Sequence, residues 1–168
     1  MSFRSYRRRF GELPWLDRLL LAETVTTLAA ASLAIRLLPF RRVVSAISPA
    51  PSPEAENAPA AEAMIARTRW AIEACARLLP WRIVCFQKGL AMQWMLRRRR
   101  VGSFLHYGVR QDEERGVTAH VWITHRDVPI LGGEEAAGFA CLAVYPEPSA
   151  PDPSRRRTES SHIRSHRA

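Results

Sequence analysis

The sequence predicts an α+β fold in which N-terminal helices precede a small antiparallel sheet. Three observations carry this. Up to Arg99 the apolar residues recur at helical spacing in three segments. From Phe104 onward short alternating segments are separated by turn residues. Helices followed by a run of strands, rather than a βαβ alternation, belong to the α+β class. At 168 residues, with 47% hydrophobic and 24% charged residues, the chain is long enough for one globular core.

The first helix is expected over residues 16–38. Leu16, Leu19, Leu20, Leu28, Ala31, Ile35 and Leu38 share a helical period that Glu23 interrupts, and Pro39 closes it. Its longest uncharged run, Thr24 to Ile35, is 12 residues. A spanning helix needs about 20, so the segment is too short, although a peripheral membrane contact stays open. Arg7-Arg8-Arg9-Phe10 faintly resembles a twin-arginine export signal, but Asp17 and Glu23 break what would be its apolar stretch. Residues 41–47 continue as a short second helical piece. Ser48 to Ala61 (SPAPSPEAENAPAA) holds four prolines among small and polar residues and reads as a loop.

A second helix follows over residues 60–79, with Met64, Ile65, Ala71, Ile72, Cys75 and Leu78 or Leu79 along one side and Pro80 at its end. Cys85 opens a third, running to Arg99, whose Leu90, Ala91, Trp94 and Met95 form an apolar stripe. Phe104 to Val109 is the first strand. Ala119 to His125 is the second, with His120, Trp122 and Thr124 on one face and Val121, Ile123 and His125 on the other. Arg126-Asp127 makes a turn into a third strand, Val128 to Leu131, which Gly132-Gly133 ends. Phe139 to Tyr145 is the last strand, and a tail rich in Pro, Ser and Arg follows from Pro146. The domain plan is thus a basic arm over 1–14, one domain over 15–146 with a Pro-rich loop at 48–61, and a disordered tail over 147–168.

The charge of +9 suggests nucleic-acid binding until it is mapped. Residues 1–9 hold four arginines, and residues 155–168 hold five against Glu159. Removing +4 and +4 from +9 leaves +1 for residues 10–154. The body is nearly neutral, so no nucleic-acid partner is expected. Its one basic run, Arg97–Arg100, suits a solvated helix end, where cations complement the dipole. Three cysteines without a CxxC pair do not make a disulfide framework and point to a reducing cytoplasm. Their spacing with the histidines lacks the close pairs of a structural zinc site, and no metal is expected.

Cys85 stands at a helix start, where backbone N–H groups favour an anion, and Lys88 adds positive charge one turn on. A thiol nucleophile needs a base, and His120, at the start of a strand leading into the core, is the candidate. Spacing alone leaves two readings of the pair: nucleophile and base, or a small buried hydrophobe and a satisfied strand histidine. His106, His125, His162 and His166 carry no particular signal.

The segment Leu79-Pro80-Trp81-Arg82-Ile83-Val84-Cys85-Phe86-Gln87-Lys88-Gly89-Leu90-Ala91-Met92-Gln93-Trp94, with its arginine-rich continuation, resembles the cysteine motif of the lasso-peptide biosynthesis B protein. Ala119-His120-Val121-Trp122 is similar to that family's histidine motif, and the resemblance runs over roughly residues 15–146. It implies a transglutaminase-like, papain-like cysteine protease that needs no cofactor, with Cys85 as nucleophile and His120 as base. The implied substrate is a lasso precursor peptide, presented by a separate leader-recognition protein and passed on to an asparagine-synthetase-like cyclase. Gln87 and Lys88 are implied oxyanion or substrate contacts, and Trp122 either packs over the site or fills the core.

Two positions depart from the family pattern. Lys88 stands where arginine is common, keeping the charge but not the bidentate fork. Gly132 stands where an aspartate would hold the histidine. Asp127 lies at the hairpin turn, some 20 Å along the strand from His120 at about 3.3 Å per residue. Glu134, beyond the double glycine, falls back beside His120 across the hairpin and is the preferred orienting residue; a backbone carbonyl or an amide can do the same work. Two rival functions use other parts of this reading. An amide-forming acyltransferase needs the same Cys85 and His120, and a basic interaction module needs only the arginine-rich ends.

Overall fold

A computed structural model describes residues 13–39, 42–43, 58–112 and 116–147. Three helices, α1 (Trp15–Leu37), α2 (Ala58–Leu78) and α3 (Cys85–Arg98), precede four strands, β1 (Phe104–Asp112), β2 (Gly116–His125), β3 (Val128–Leu131) and β4 (Ala140–Tyr145). The strands form one antiparallel sheet in the order β3-β2-β1-β4, with a 3₁₀ turn at Ala136–Gly138 before β4. This is the expected α+β arrangement. The arm over residues 1–12, the linker over 48–57 and the tail over 148–168 lie outside the described residues. So does most of the short piece over 41–47, of which Arg42 and Val43 are helical.

The loop expected over 48–61 ends earlier than anticipated, because α2 already begins at Ala58. Pro59 sits in its first turn, where the missing N–H is one that a helix start leaves unused. The β1–β2 hairpin is longer than the reading of Phe104–Val109 and Ala119–His125 anticipated. Arg110 pairs with Thr118, Gln111 with Val117, and Asp112 with Gly116. The polar, charged residues of that outer part carry no alternating apolar signal, yet both strands extend because each supplies the other's backbone partners.

The core lies between the helices and one face of the sheet. α3 is its centre, with Leu90, Ala91, Met92, Met95 and Leu96 fully buried. Leu105, Val121 and Ile123 of the sheet pack beneath it. Gly89 permits the close approach, since a Cβ there would stand 2.7 Å from Cγ1 of Val121. Buried Gln93 is satisfied by donating to the Ser103 carbonyl at 2.7 Å and accepting from the Ser103 hydroxyl. α3 is therefore fixed from both sides, and its first residue, Cys85, with it.

α1 is apolar nearly all round, so its helical period alone does not say which face is turned inward. The buried residues are Leu20, Leu21, Thr24, Thr27, Leu28 and Ala31, whereas Leu16, Leu19 and Leu38 of the same apolar period are exposed. The rotation is explained by Glu23. Its carboxylate accepts from Arg98 Nη2 at 2.8 Å and Arg99 Nη1 at 3.0 Å, with a further short contact to Arg99 Nη2. Two cations of the α3 terminus thus turn this edge of α1 inward.

The Arg99 hydrogen bonds, more than any other influence, hold the Glu23 carboxyl below its ordinary value of 4.5, while partial burial opposes them. The unfolded chain then takes up this proton at higher pH than the folded one. The stability contributed is complete above 4.5 and is lost as pH falls through the folded value. Glu23→Gln is expected to cost roughly 1–2 kcal/mol at neutral pH. Thermal melts of both proteins across a pH series check this: the gap must narrow as the medium is acidified below 4.5. A constant gap would place the effect in packing rather than charge.

Candidate active site

The site begins with the helix that carries Cys85. Val84 precedes α3 in an extended conformation, and its N–H donates to Oε1 of Gln87 at 2.7 Å. This closes the helix start and leaves first-turn N–H groups without an intrahelical acceptor. Cys85, half-exposed, lies at that end, where the helix dipole and these donors favour negative charge.

The opposing wall comes from β2. β3 covers only Ile123 to His125 of β2, so the stretch before it keeps an edge free of strand pairing on that side. His120 lies on this stretch. A cleft of about 840 Å³ opens there, lined by Cys85, Arg82 and Lys88 from the α3 side and by His120, Gly132, Glu135 and Phe139 from the sheet side. The structure thus brings Cys85, His120, Lys88 and Glu134 to one cleft, 35 residues of sequence separating nucleophile and base. Among the described residues no hydrogen bond joins the Cys85 thiol to the imidazole; such bonds are often loose before substrate binds.

His120 is held on three sides. Its Nε2 lies 2.8 Å from the carbonyl oxygen of Gly132. A carbonyl only accepts, so Nε2 carries the proton and Nδ1 of the neutral ring keeps its lone pair. Trp122 lies nearly parallel to it, 6.2 Å away at 17°, and Phe139 stands 5.1 Å off. Gly108 faces His120 across β1, and with no Cβ it makes room for the Trp122 ring. Nδ1 is directed toward the Glu135 carboxylate, 3.7 Å away on a mostly solvated side chain.

These contacts correct two expectations and decide between the two open for Trp122. The contact to the histidine expected of Glu134 is made by Gly132. Glu134 instead pairs with Arg69 of α2 at 2.8 Å, and Arg69 also holds Glu73. A hydrogen bond from its own backbone, then Arg69, keeps the Glu134 carboxyl below the ordinary carboxylate value. Gln87 does not line the cleft: its oxygen accepts from the Val84 N–H and its nitrogen donates to Ser32 Oγ at 3.0 Å, so both ends of its amide are held within the protein. Trp122 takes the inner of its two alternatives: it is buried and stacked between His120 and His106, the latter at 5.2 Å, and is not part of the cleft wall. Sequence reasoning missed Glu135, Phe139 and Arg110, whose guanidinium lies 4.8 Å from the Phe139 ring. The folding back of the segment after β3 brings Glu135 and Phe139 to the cleft, and sets Phe139 against Arg110 of β1.

The other cysteines are differently placed. Cys75 is in the core, its Sγ 3.8 Å from the Leu21 carbonyl, and burial pushes its thiol up to about 11. Cys141 is exposed on β4, with His106 Nδ1 at 3.9 Å, on a surface away from the cleft. Cys85 alone among the three meets a helix start, a cleft and a held histidine together.

A helix-borne thiol facing a strand-borne imidazole, within helices followed by an antiparallel sheet, defines the class of folds that run acyl chemistry through a cysteine. The chain belongs to the transglutaminase-like superfamily, whose sequence profile matches residues 25–144. That superfamily includes cysteine peptidases and acyltransferases. No curated protein and no solved structure matches the chain.

Proposed function

We propose that this protein is a cytoplasmic cysteine peptidase that removes the leader from a lasso-type precursor peptide. The observation that carries the reading is the shared cleft of Cys85 and His120, with His120 Nε2 committed to Gly132 so that Nδ1 is the basic nitrogen. Its narrowing to lasso precursors is supported by the motifs around Cys85 and His120.

In the proposed reaction, Nδ1 of His120 takes the Cys85 proton and the thiolate attacks the scissile carbonyl. Donors at the start of α3 hold the resulting oxyanion, a role that Gln87, with its amide engaged, leaves to the backbone. The imidazolium returns its proton to the departing amine as the C–N bond breaks, leaving a thioester. Water, deprotonated by His120, attacks the thioester and releases the acid and the free thiol. Lys88 and Arg82 line the cleft beside Cys85, and among the described residues neither is in an ion pair, so both are free to meet peptide carbonyls or carboxylates. A separate recognition protein presents the leader, an asparagine-synthetase-like cyclase takes the released core, and no nucleic acid is required.

The acyltransferase reading shares every step but the last, where an amine replaces water. One incubation separates the two: precursor, recognition protein and enzyme, with products read by mass. Cleavage with one water gained supports the peptidase. Loss of ammonia or joining to an added amine supports the transferase, and an unchanged precursor rejects both.

A further inference from the structure

We propose that the exposed face of α1 binds an anionic lipid bilayer, with the helix lying in the plane of the surface. Trp15, Leu19, Ala22, Thr26, Ala29, Leu33 and Leu37 recur every three or four residues and therefore form one line along the helix, and all are exposed. Trp15 is 66% exposed, Leu33 57% and Leu37 70%. At 1.5 Å per residue the line is about 33 Å long. A soluble protein rarely shows water so long an apolar strip without an occupant.

Charge indicates which occupant. Both carboxylates of α1 are drawn into the protein, Asp17 to Arg67 of α2 and Glu23 to Arg98 and Arg99 of α3. The charged residues exposed along this outer face are Arg18, whose Nε donates to the Leu13 carbonyl at 3.0 Å, and Arg36, about five turns apart on the same flank of the line. Four arginines precede the helix within residues 1–9, and Arg41 and Arg42 follow it. An apolar strip edged by arginines, with a tryptophan at one end, matches the chemistry of an interfacial helix on anionic lipid. The strip is a convex ridge on a single helix, which suits a fluid surface better than a groove-forming protein.

Contrary to the expectation drawn from its 12-residue uncharged run, the whole 23-residue helix is long and apolar enough, by length and composition, to cross a membrane. Crossing would require withdrawing Leu20, Leu21, Thr24, Thr27, Leu28 and Ala31 from the core and breaking the Glu23 cluster. Lying flat keeps all of these contacts, so the fold and the membrane use opposite faces of α1.

The test uses the full chain, sedimented with phosphatidylcholine vesicles with or without phosphatidylglycerol. The expected result is binding to the anionic vesicles that weakens in high salt, with little on phosphatidylcholine alone. The Leu19→Asp/Leu33→Asp double variant should partition at least about tenfold more weakly. Both side chains are exposed, so its far-UV circular dichroism should match the wild type. As a readout independent of that variant, tryptophan emission should shift to the blue on anionic vesicles, and Trp15→Phe should diminish the shift. Absence of vesicle binding by the wild type, equal binding by the double variant, or an unchanged shift in Trp15→Phe would overturn the proposal. So would an α1 face that retains a protein partner but no vesicles.

Discussion

Cys85→Ala is expected to lower precursor cleavage by about 10⁴- to 10⁶-fold, as removal of a covalent nucleophile does elsewhere. Fold and melting temperature should stay close to wild type, because the side chain is only half-buried at the mouth of the cleft. The comparison with the other cysteines makes the result specific. Cys141→Ala, on the exposed surface of β4, should leave turnover unchanged. Cys75→Ala should cost about 1 kcal/mol of stability through a small core defect and little activity once folded. Alkylation gives a second check. Cys75, with its thiol pushed up to about 11 and buried, should resist iodoacetamide in the native state. Loss of activity should track modification at Cys85. An alanine variant retaining a tenth or more of the wild-type rate would remove Cys85 from the chemistry.

How far this site was legible in the sequence depends on how each residue is placed. Cys85 and His120 are positioned by the elements they sit on, a helix start and a strand, and both elements are written in local apolar periodicity. The third contact depends on where the chain travels after β3, which Gly132-Gly133 leaves open. Gly132 adopts φ +69, a left-handed conformation open to glycine, and this turns the following segment back over the free edge of β2. Glu134 was expected to fall back beside His120 across the hairpin, but Arg69, 65 residues away in sequence, claims its carboxylate. No pattern local to Glu134 announces that partner. Gln87 fails as an oxyanion donor for a similar reason, since Ser32 of α1 reaches it from 55 residues away. The inner face of α1 was not legible because a helix apolar nearly all round has no unique stripe, and the Glu23 cluster decides its rotation.

The position that the resemblance marks for an aspartate is still the one touching His120, but the atom differs: a backbone carbonyl oxygen takes the place of a carboxylate. A carbonyl fixes the tautomer and the ring orientation as a carboxylate does. It brings only a dipole, however, to stabilise the imidazolium that the proposed reaction forms at His120. The Glu135 carboxylate, 3.7 Å from Nδ1, supplies negative charge from the cleft side. In the proposed reaction the thiol and the leaving amine use this same nitrogen, so a substrate would displace or share the carboxylate.

His120→Ala is therefore expected to cost about 10³- to 10⁴-fold in kcat, the loss of both base and acid. Gly132→Ala should cost about 10²-fold with KM nearly unchanged, through misorientation rather than removal. Its new Cβ would stand 2.9 Å from the Val121 carbonyl oxygen and 3.3 Å from His120 Nε2, on a backbone at φ +69 that alanine adopts poorly. The ring or the loop must move, and the Nε2 bond lengthens in either case. Glu134→Gln weakens only an exposed ion pair with Arg69, so its rate should stay within a few-fold of wild type. Steady-state kinetics on the four proteins ranks the contacts. A Glu134 variant as impaired as His120→Ala, beside an unimpaired Gly132→Ala, would return the orienting role to the carboxylate and show that the loop rearranges when substrate binds.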